Sequence, residues 1–423
     1  MSAREAAALL DVKLATLYAY TSRGLVESIP STRGRARLYR RRDLERLRAR
    51  RDARAGHGPV AAGALQFGEP VLDSAVTAIS PERGPLYRGH SALVLARTGT
   101  PFEVVAELLF GSELPAEPAW PAILASWQVD RLGVSVRALR ELLADSLPPL
   151  TVLALLVPLL ASRDPGRFSE RPEAVLPRAR VLIRRMAAAL ALARPGARNE
   201  PAILEALGAG SIAHTIAVGL GARGGARAVQ AIDAALVLAA DHELNASTFA
   251  ARVAASTGAD VFGGITAALV CLAGPRHGGA ADRVEALVAA IGEPGEAERI
   301  VHERQRRGEI IDGFGHPLYP EGDPRGATLV ELARELAPPP GPARTCLELV
   351  DAMQQGGGGA PTVDTGLVAL ALALELPPGS AGGLFSVARS AGWVAHILEQ
   401  YAAGYLVRPR ARYLGPDCDL AMD

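Results

Sequence analysis

Aromatic residues and cysteines are scarce in this chain of 423 residues. Phe, Trp and Tyr together make up 4% of the sequence, which disfavours a β-sandwich because its strands are rich in aromatic and β-branched residues. The three cysteines, Cys271, Cys346 and Cys418, lie far apart and form no CxxC pair. Their spacing argues against a zinc ribbon or a disulfide framework and is typical of a protein kept in a reducing compartment.

Long apolar runs are also missing. The longest, residues 150–161, is interrupted by a threonine and a proline and is shorter than the roughly 18 residues that a membrane-spanning helix requires. Residues 1–14 carry Arg4, Glu5 and Asp11 within their apolar stretch, which the apolar region of a secretory signal does not tolerate. The sequence therefore predicts a cytoplasmic protein.

The chain has no net charge, but its charges are unevenly distributed. Residues 1–57 contain 14 Lys or Arg and 6 Asp or Glu, a net charge of +8, whereas the whole chain contains 45 of each kind. The remaining residues therefore carry −8. A basic module attached to an acidic body suggests a nucleic-acid-binding segment.

The basic module has the pattern of three short helices and a hairpin. Ser2 and Glu5 have the spacing of a capping box for a helix over residues 3–10. A second helix over 13–23, an arginine-rich hairpin over 26–39 and a third helix over 42–54 follow. Two helices at a tight turn with a basic wing predict a winged helix-turn-helix.

The stretch AREAAALLDVKLATLYAYTSRGLVES…RLYRRRDLERL resembles the N-terminal helix-turn-helix of the MerR and excisionase type. This resemblance implies contact with DNA through Lys13, Thr16, Tyr18 and Tyr20, with Arg33, Arg35 and Arg37 on phosphates. A solvated basic cap that serves packing or oligomerisation is the alternative. Residues 58–70, rich in Gly and Ala, predict a linker.

From residue 71 onward the pattern predicts an all-α body. Ala/Leu segments have apolar residues at spacings of three and four, and alternation with period two is rare. Residues 246–272 form one such apolar segment. The GxGxxG match at 219–224 lacks the strand, helix and second strand of a dinucleotide site, so we interpret it as a connection between helices.

Chemically capable residues are scattered along this body. His277 and His316 are each flanked by glycines in loops at helix ends, and His242 lies in a polar stretch between apolar helices. Asp364 follows a run of four glycines, and Arg389 lies on a later helix. Arginines bind carboxylates, and a carboxylate beside neutral imidazoles can perform enolisation, so a site for a multi-carboxylate ligand is indicated. The sequence contains no HxxxH or HExxH pair, so a metal site is less favoured.

Each residue also has an ordinary structural interpretation. Any of the histidines could be a core residue, and Asp364 could be the N-cap of its helix. His396, within a predicted helix over residues 393–399, is as readily structural as functional.

Six segments resemble the citrate synthase family. They span about 330 residues and occur in the same order as in that family. They are LYRGHSALVLARTGTPFEVVAELLFGSELP (86–115), AADHELNASTFAARVAASTGADVFGGITAALVCLAGPRHGGA (239–280), GFGHPLYPEGDPRGA (313–327), PTVDTGLVALAL (361–372), FSVARSAGWVAHILEQ (385–400) and LVRPRARYLG (406–415). The resemblance implies condensation of acetyl-CoA with oxaloacetate, without a metal or prosthetic group. The coenzyme A thioester is then a substrate. A 2-methylcitrate synthase using propionyl-CoA, or a DNA-binding regulator with a synthase-like sensor body, would show the same segments.

The resemblance also assigns catalytic roles. It implies that Asp364 removes a methyl proton from acetyl-CoA and that His277 hydrogen-bonds the thioester oxygen. His316 would polarise and protonate the carbonyl group of oxaloacetate. Enolising a thioester is difficult, so a base and a preorganised donor must act together.

Substrate carboxylates would be held by His242, Arg325 and Arg389, and by Arg408 from the partner subunit of a homodimer. The resemblance further implies a large helical domain over 71–280 and 381–423 and a small mobile helical domain over 281–380.

Two prolines depart from the family pattern. Pro317 and Pro320 stand where a basic residue is usual, so contacts with the coenzyme A phosphates would have to come from Arg276, Arg304 or Arg307.

Overall fold

The computed structural model describes residues 1–10, 12–22, 26, 28–30, 37–40, 44, 47, 72–111, 113–116, 120, 147–194, 203, 205–206, 208–336 and 341–410. The chain forms two compact units. One comprises Met1–Asp73 and Pro409–Asp423, and the other comprises Ser74–Arg408.

The first unit has the helix-turn-helix arrangement that the sequence predicts. Helix α1 (Ala3–Leu9) begins with the predicted capping box, in which the backbone N–H of Glu5 donates to Ser2 Oγ and that of Ser2 donates to the Glu5 carboxylate. Helix α2 (Leu14–Ser22) and an antiparallel hairpin of β1 (Ser28–Pro30) and β2 (Arg37–Tyr39) follow. Most of the predicted third helix and the predicted linker lie outside the described residues.

The second unit opens with a small antiparallel meander that the sequence analysis did not predict. Its strands are β3 (Thr77–Ser80), β4 (Gly84–Tyr87) and β5 (His90–Ser91). Strands this short carry too few residues to show an alternating pattern.

The rest of its described part is helical, as predicted. The helices are α3 (Ala92–Arg97), α4 (Phe102–Gly111), α5 (Pro149–Ala161), α6 (Pro172–Ala189), α7 (Ile212–Leu220), α8 (Ala226–Ala239), α9 (Ala246–Ser256), α10 (Val261–Leu272), α11 (Gly279–Ile291), α12 (Ala297–Arg306), α13 (Pro324–Glu335), α14 (Gly341–Gln355), α15 (Val363–Ala373) and α16 (Ser380–Ala403), with a 3₁₀ turn (Leu190–Ala193) after α6. No described helix is long and apolar enough to cross a membrane.

The apolar segment 246–272 forms two helices and not one. Gly258 adopts a left-handed conformation with φ of 80°, and Asp260 then caps α10 by accepting the Gly263 N–H. Asn245 caps α9 in the same way through the Thr248 N–H. The GxGxxG segment is a connection between helices, as interpreted, since Gly221 ends α7 and Gly225 precedes α8.

Helix α16 runs through the core of the second unit. Most of its 24 residues are buried, and its contacts include α8, α9 and α10. Because small and apolar residues cover most of its surface, the few polar side chains it carries are held inside the protein, among them Arg389 and His396.

Helices α13 and α15 pack closely through two glycines. A Cβ atom at Gly326 would lie 2.3 Å from the Pro361 carbonyl oxygen, and one at Gly366 would lie 2.6 Å from Leu329 Cβ. The close approach brings the first turns of both helices together, and these turns carry Arg325 and Asp364. The predicted division into domains over 71–280 with 381–423 and over 281–380 stays a prediction.

Candidate active site

Three aromatic rings meet where the loop after α8 faces the loop before α13. The ring centroids of His242 and His316 are 5.6 Å apart, and Tyr319 lies 5.7 Å from the first and 5.1 Å from the second. His242 Nε2 is 2.7 Å from the Tyr319 hydroxyl oxygen. Burial first, and then the positive charges of Arg325 and Arg389, hold the pKa of His242 well below its usual range, so the ring is neutral.

His316 presents one ring nitrogen as a free donor. Its Nδ1 accepts the backbone N–H of Leu318 at 3.1 Å. A neutral ring carries one proton, so that proton must then be on Nε2. Burial and the nearby Arg325 lower the pKa of His316, which favours this neutral form. His316 can therefore donate a hydrogen bond to an oxygen atom.

Arg325 is fixed by a buried ion pair at the start of α13. Its Nε and Nη2 lie 3.0 and 2.8 Å from the two carboxylate oxygens of Asp323. Although burial lowers the pKa of Arg325, the Asp323 carboxylate raises it. Asp323 Oδ2 also accepts the Val363 N–H at 3.1 Å, so one carboxylate joins the first turns of α13 and α15.

Arg389 provides a buried cation on α16. The residue is 1% exposed, and its Nε donates to the Ala239 carbonyl at 2.8 Å. Within the described residues, its two terminal nitrogens have no hydrogen-bond partner. Burial lowers its pKa to about 10, so it stays protonated at neutral pH. A buried guanidinium with unused donors is suited to a carboxylate ligand.

His277 is held by a buried serine. Its Nε2 lies 2.9 Å from Ser247 Oγ, which also accepts the indole N–H of Trp393 at 3.3 Å. Burial, followed by the positive charge of Arg389, lowers the pKa of His277 to about 4. The ring is therefore neutral at physiological pH and retains one N–H group.

Asp364 is the second residue of α15, whose N-cap is Thr362. The alternative in which Asp364 is itself the N-cap is therefore wrong. Thr362 Oγ1 donates to Asp364 Oδ2 at 3.5 Å. Burial raises the pKa of Asp364 to about 6, although Arg325 opposes this and Asp323 adds to it. A carboxylate with a pKa near the working pH is an effective general base.

The segments that carry His316 and Asp364 are hydrogen-bonded to each other. The Gly315 N–H donates to the Ala360 carbonyl at 2.9 Å, and Gly313 accepts both the Thr362 N–H at 2.9 Å and the Thr365 hydroxyl at 2.7 Å. Gly313 has φ of 88°, and a Cβ atom there would lie 2.3 Å from Thr365 Oγ1. This glycine is required for the contact.

Arg389 lies within electrostatic reach of several other candidate site residues. Besides burial, its charge is among the causes that lower the pKa of His242 and of His277, and it also lowers that of Asp364 against the effect of burial. Arg325 acts on His316 and Asp364 in the same direction. Imidazoles, a carboxylate and two arginines therefore lie within electrostatic reach of one another, and this grouping is suited to an anionic ligand.

Arg408 differs from the other predicted site residues. It lies beyond the end of α16, and it is exposed. Pro317 and Pro320 are exposed as well. Of the three arginines considered for the coenzyme A phosphates, Arg307 and Arg304 form ion pairs with Glu309, at 2.6 and 3.9 Å.

In the N-terminal unit, the predicted DNA-contacting residues divide into two groups. Lys13, Tyr18 and Arg37 are exposed, with Tyr18 at 53%. Thr16 is half-buried, and Tyr20 packs against the core of the unit. Arg33 and Arg35 lie outside the described residues.

Comparison with known proteins decides the family. The sequence model of the citrate synthase C-terminal domain matches residues 66–410. The chain belongs to the citrate synthase family. A helix-turn-helix domain model matches residues 1–52, in agreement with the N-terminal prediction.

Relatives within this family carry two kinds of name. The chain is 41% identical over 192 residues to citrate synthase 2 of Bacillus subtilis, a match covering 45% of this chain and 52% of that protein. It thus spans about half the length of this relative. It is 31% identical over 366 residues to a 2-methylcitrate synthase of Mycobacterium tuberculosis, a match covering 82% of this chain and 89% of that protein.

Solved structures in the family share the fold. A citrate synthase of Thermoplasma acidophilum, in a ternary complex with carboxymethyl coenzyme A and oxaloacetate, has a TM-score of 0.71 at 23% identity over 84% of this chain and 96% of that one. A citrate synthase of Pyrobaculum aerophilum gives a TM-score of 0.69 at 25% identity over 84% and 92% of the two chains.

Sequence reasoning missed the residues that hold the site in place. Tyr319, Asp323 and Ser247 contact His242, Arg325 and His277 respectively. Asp323 carried a local signal, since Asp before Pro is typical of a helix start. Tyr319 and Ser247 carried none, because their partners are distant in sequence.

Proposed function

We propose that the chain condenses acetyl-CoA with oxaloacetate and hydrolyses the resulting citryl-CoA to citrate and CoA. The observation that carries this proposal is Asp364, a base with a pKa raised to about 6 beside two buried arginines and neutral histidines. The names of the relatives support the same reaction class.

Each catalytic group has a defined task in this proposal. Asp364 takes a proton from the methyl carbon of the thioester, and an N–H of His277 stabilises the developing enolate oxygen. The new carbon nucleophile attacks the keto carbon of oxaloacetate, whose oxygen receives a proton from His316 Nε2. Water then cleaves the thioester and releases CoA. Neutral imidazoles can donate a hydrogen bond to a developing oxyanion, and the arginines supply the positive charge that the substrate carboxylates require.

Oxaloacetate is anchored by the positive end of the site. Arg325, Arg389 and His242 bind its carboxylates, and Arg408 of a second subunit completes the set in a homodimer. Arg276, exposed and directly before His277, is the first candidate for the coenzyme A phosphates, because Arg304 and Arg307 are both paired with Glu309.

Thiol release from the purified protein tests the reaction. Oxaloacetate is supplied with acetyl-CoA or with propionyl-CoA, and turnover with acetyl-CoA is expected. Preference for propionyl-CoA would indicate a 2-methylcitrate synthase. One methylene group changes binding by only about 1–3 kcal/mol, so the ratio of the two kcat/KM values must be measured. Absence of turnover, with oxaloacetate still raising the Tm, would favour a sensor.

Subunit mixing tests the role of Arg408. Arg408→Ala and Asp364→Asn are each expected to be nearly inactive. If Arg408 acts across subunits, mixed dimers hold one intact site, so random exchange restores about a quarter of the activity. If it acts within its own subunit, mixing restores nothing.

We propose a second function for the N-terminal unit, binding to duplex DNA. It is supported by the helix-turn-helix match, by the exposure of Lys13, Tyr18 and Arg37, and by the net charge of +8 over residues 1–57. Phosphate contacts by cations release counterions and make binding salt-dependent.

Titration of the full chain with duplex DNA at several salt concentrations tests this second function. Lys13→Ala and Arg37→Ala are each expected to lower the slope of log K against log salt by about one. Arg97→Ala, an exposed arginine of α3, is the control and leaves the slope unchanged. Equal affinity of the chain without residues 1–57 would contradict the proposal and favour a packing role.

A further inference from the structure

The backbone at the end of α8 is hydrogen-bonded to α16 at two successive residues. Arg389 Nε donates to the Ala239 carbonyl at 2.8 Å, and the Gly392 N–H donates to the Ala240 carbonyl at 3.1 Å. Gly392 permits this approach, since a Cβ atom there would lie 2.7 Å from the Ala240 oxygen and 2.2 Å from Asp241 Oδ1.

A buried pair of side chains continues this series. His396 Nε2 lies 3.2 Å from Asp241 Oδ2, and neither residue is exposed to solvent. The other carboxylate oxygen of Asp241 has no hydrogen-bond partner among the described residues. A buried carboxylate is unfavourable unless it is hydrogen-bonded, so the N–H of His396 has a particular task at this position.

Both partners adjoin residues of the site. Asp241 directly precedes His242 in the chain, and His396 is two helical turns after Arg389 on α16. Two turns place Arg389 and His396 on one face of the helix. Because His396 Nε2 is engaged by Asp241, any influence of His396 on the site passes through that carboxylate.

We propose that His396 is a positioning residue, which holds Asp241 and thereby fixes His242 and Arg389 at the carboxylate-binding end of the site. This inference rests on the proposed function, because it assigns that end of the site to oxaloacetate. It also gives a role to the histidine that the sequence left undecided between structure and function.

The test separates positioning from stability with two variants of His396. His396→Leu removes the donor, and we expect the KM for oxaloacetate to rise about tenfold with the KM for acyl-CoA unchanged. His396→Gln keeps an N–H that reaches the carboxylate, so it should restore the KM for oxaloacetate to within about threefold of the original. Glu103→Gln, a buried carboxylate of α4 that accepts the Ile212 N–H, is the control: it lowers the Tm and leaves both KM values unchanged.

Two results would overturn the proposal. One is a His396→Leu protein that resembles the control, with a lower Tm and an unchanged KM for oxaloacetate. The other is equal loss in the Leu and Gln variants. If the Leu variant does not fold, Asp241→Asn provides the same measurement, since it keeps the shape and removes the charge that His396 holds.

Calorimetric binding of oxaloacetate distinguishes this proposal from the proposed reaction. If the unaltered chain binds oxaloacetate without turnover, the reaction fails, and an about tenfold higher Kd in His396→Leu still supports positioning. If the unaltered chain does not bind oxaloacetate, both fail.

Discussion

Opposing influences bring the pKa of the Asp364 carboxyl group close to neutral pH. Burial raises its pKa, Arg325 lowers it and Asp323 raises it again, with a value of about 6 as the result. The same three residues share the contact between α13 and α15, so the acidity of the base depends on how those helices pack. The acidity of Asp364 is therefore set by its neighbours.

This pKa gives a prediction for the pH dependence of turnover. In the proposed mechanism the ionised carboxylate acts as the base, so kcat should rise with pH through about 6 and then level off. Asp364→Asn should lower kcat by about 10²–10⁴-fold while oxaloacetate still binds. A pH–rate profile from 4.5 to 8 checks this, and an unchanged kcat in Asp364→Asn would refute the assignment.

Tyr319 supplies a second prediction at this scale. Tyr319→Phe keeps the ring against His316 and removes the hydroxyl that contacts His242. A hydrogen bond between neutral groups contributes about 1 kcal/mol, so the KM for oxaloacetate should rise about fivefold. Tyr401→Phe is the matched control, since its hydroxyl bonds the Ala259 carbonyl elsewhere. Equal effects of both variants would contradict a local role.

Helix starts and ends were the most predictable features at the scale of elements, because caps and apolar spacing are local. The capping box of α1 was predicted from the sequence, and the apolar run 150–161 lies within α5 (Pro149–Ala161). The break between α9 and α10 was not, since both halves are apolar and a single glycine conformation separates them. The meander of β3 to β5 was not predicted, because its stability comes from packing and not from a repeated pattern.

One prediction concerns the junction of α8 and α4. Asp233 on α8 accepts the Phe102 N–H at the start of α4 at 3.1 Å, and burial raises its pKa to about 7. A raised pKa means that the folded state retains the proton longer than the unfolded chain. Ionisation of Asp233 therefore lowers the stability of the folded protein as pH rises from about 4 through 7.

Asp233→Asn keeps the acceptor and cannot ionise. It should be more stable than the original by about 1 kcal/mol or more at pH 8 and by close to zero at pH 4. Denaturant unfolding at both pH values is the measurement. Glu331→Gln, an exposed carboxyl change on α13, should show no such difference, and a pH-independent effect of Asp233→Asn would contradict the argument.

A further prediction at this scale concerns the contact of α13 and α15. Gly326→Ala places a methyl group 2.3 Å from the Pro361 oxygen, so the helices must separate, at a cost of about 1–3 kcal/mol or more. Gly341→Ala is the control because the space around it is open. Thermal unfolding should separate the two, and equal Tm values would show that the contact can relax.

For the whole molecule, charge asymmetry correctly anticipated an N-terminal unit distinct from the helical body. The candidate site residues were predicted from the glycines that flank His277 and His316 and from the resemblance to citrate synthases. The residues that support them, such as Tyr319 and Ser247, could not be found in this way. Their partners are 77 and 30 positions away, and nothing local records such a distance.

The division into units gives a prediction for truncation. The candidate site residues, from His242 to Arg408, all belong to the unit Ser74–Arg408. Deleting residues 1–57 should therefore leave kcat/KM within about twofold. Steady-state kinetics with sedimentation checks this. Loss of activity together with loss of the proposed dimer would instead reveal a role of the N-terminal unit in assembly.

The hydrogen bonds from Gly313 and Gly315 to residues 360–365 have a mechanical consequence. They join the segment that carries His316 to the segment that carries Asp364, so a displacement of either segment is transmitted to the other. The proposed donor and the proposed base are thereby mechanically coupled, and a fluorophore attached to either segment would report on both.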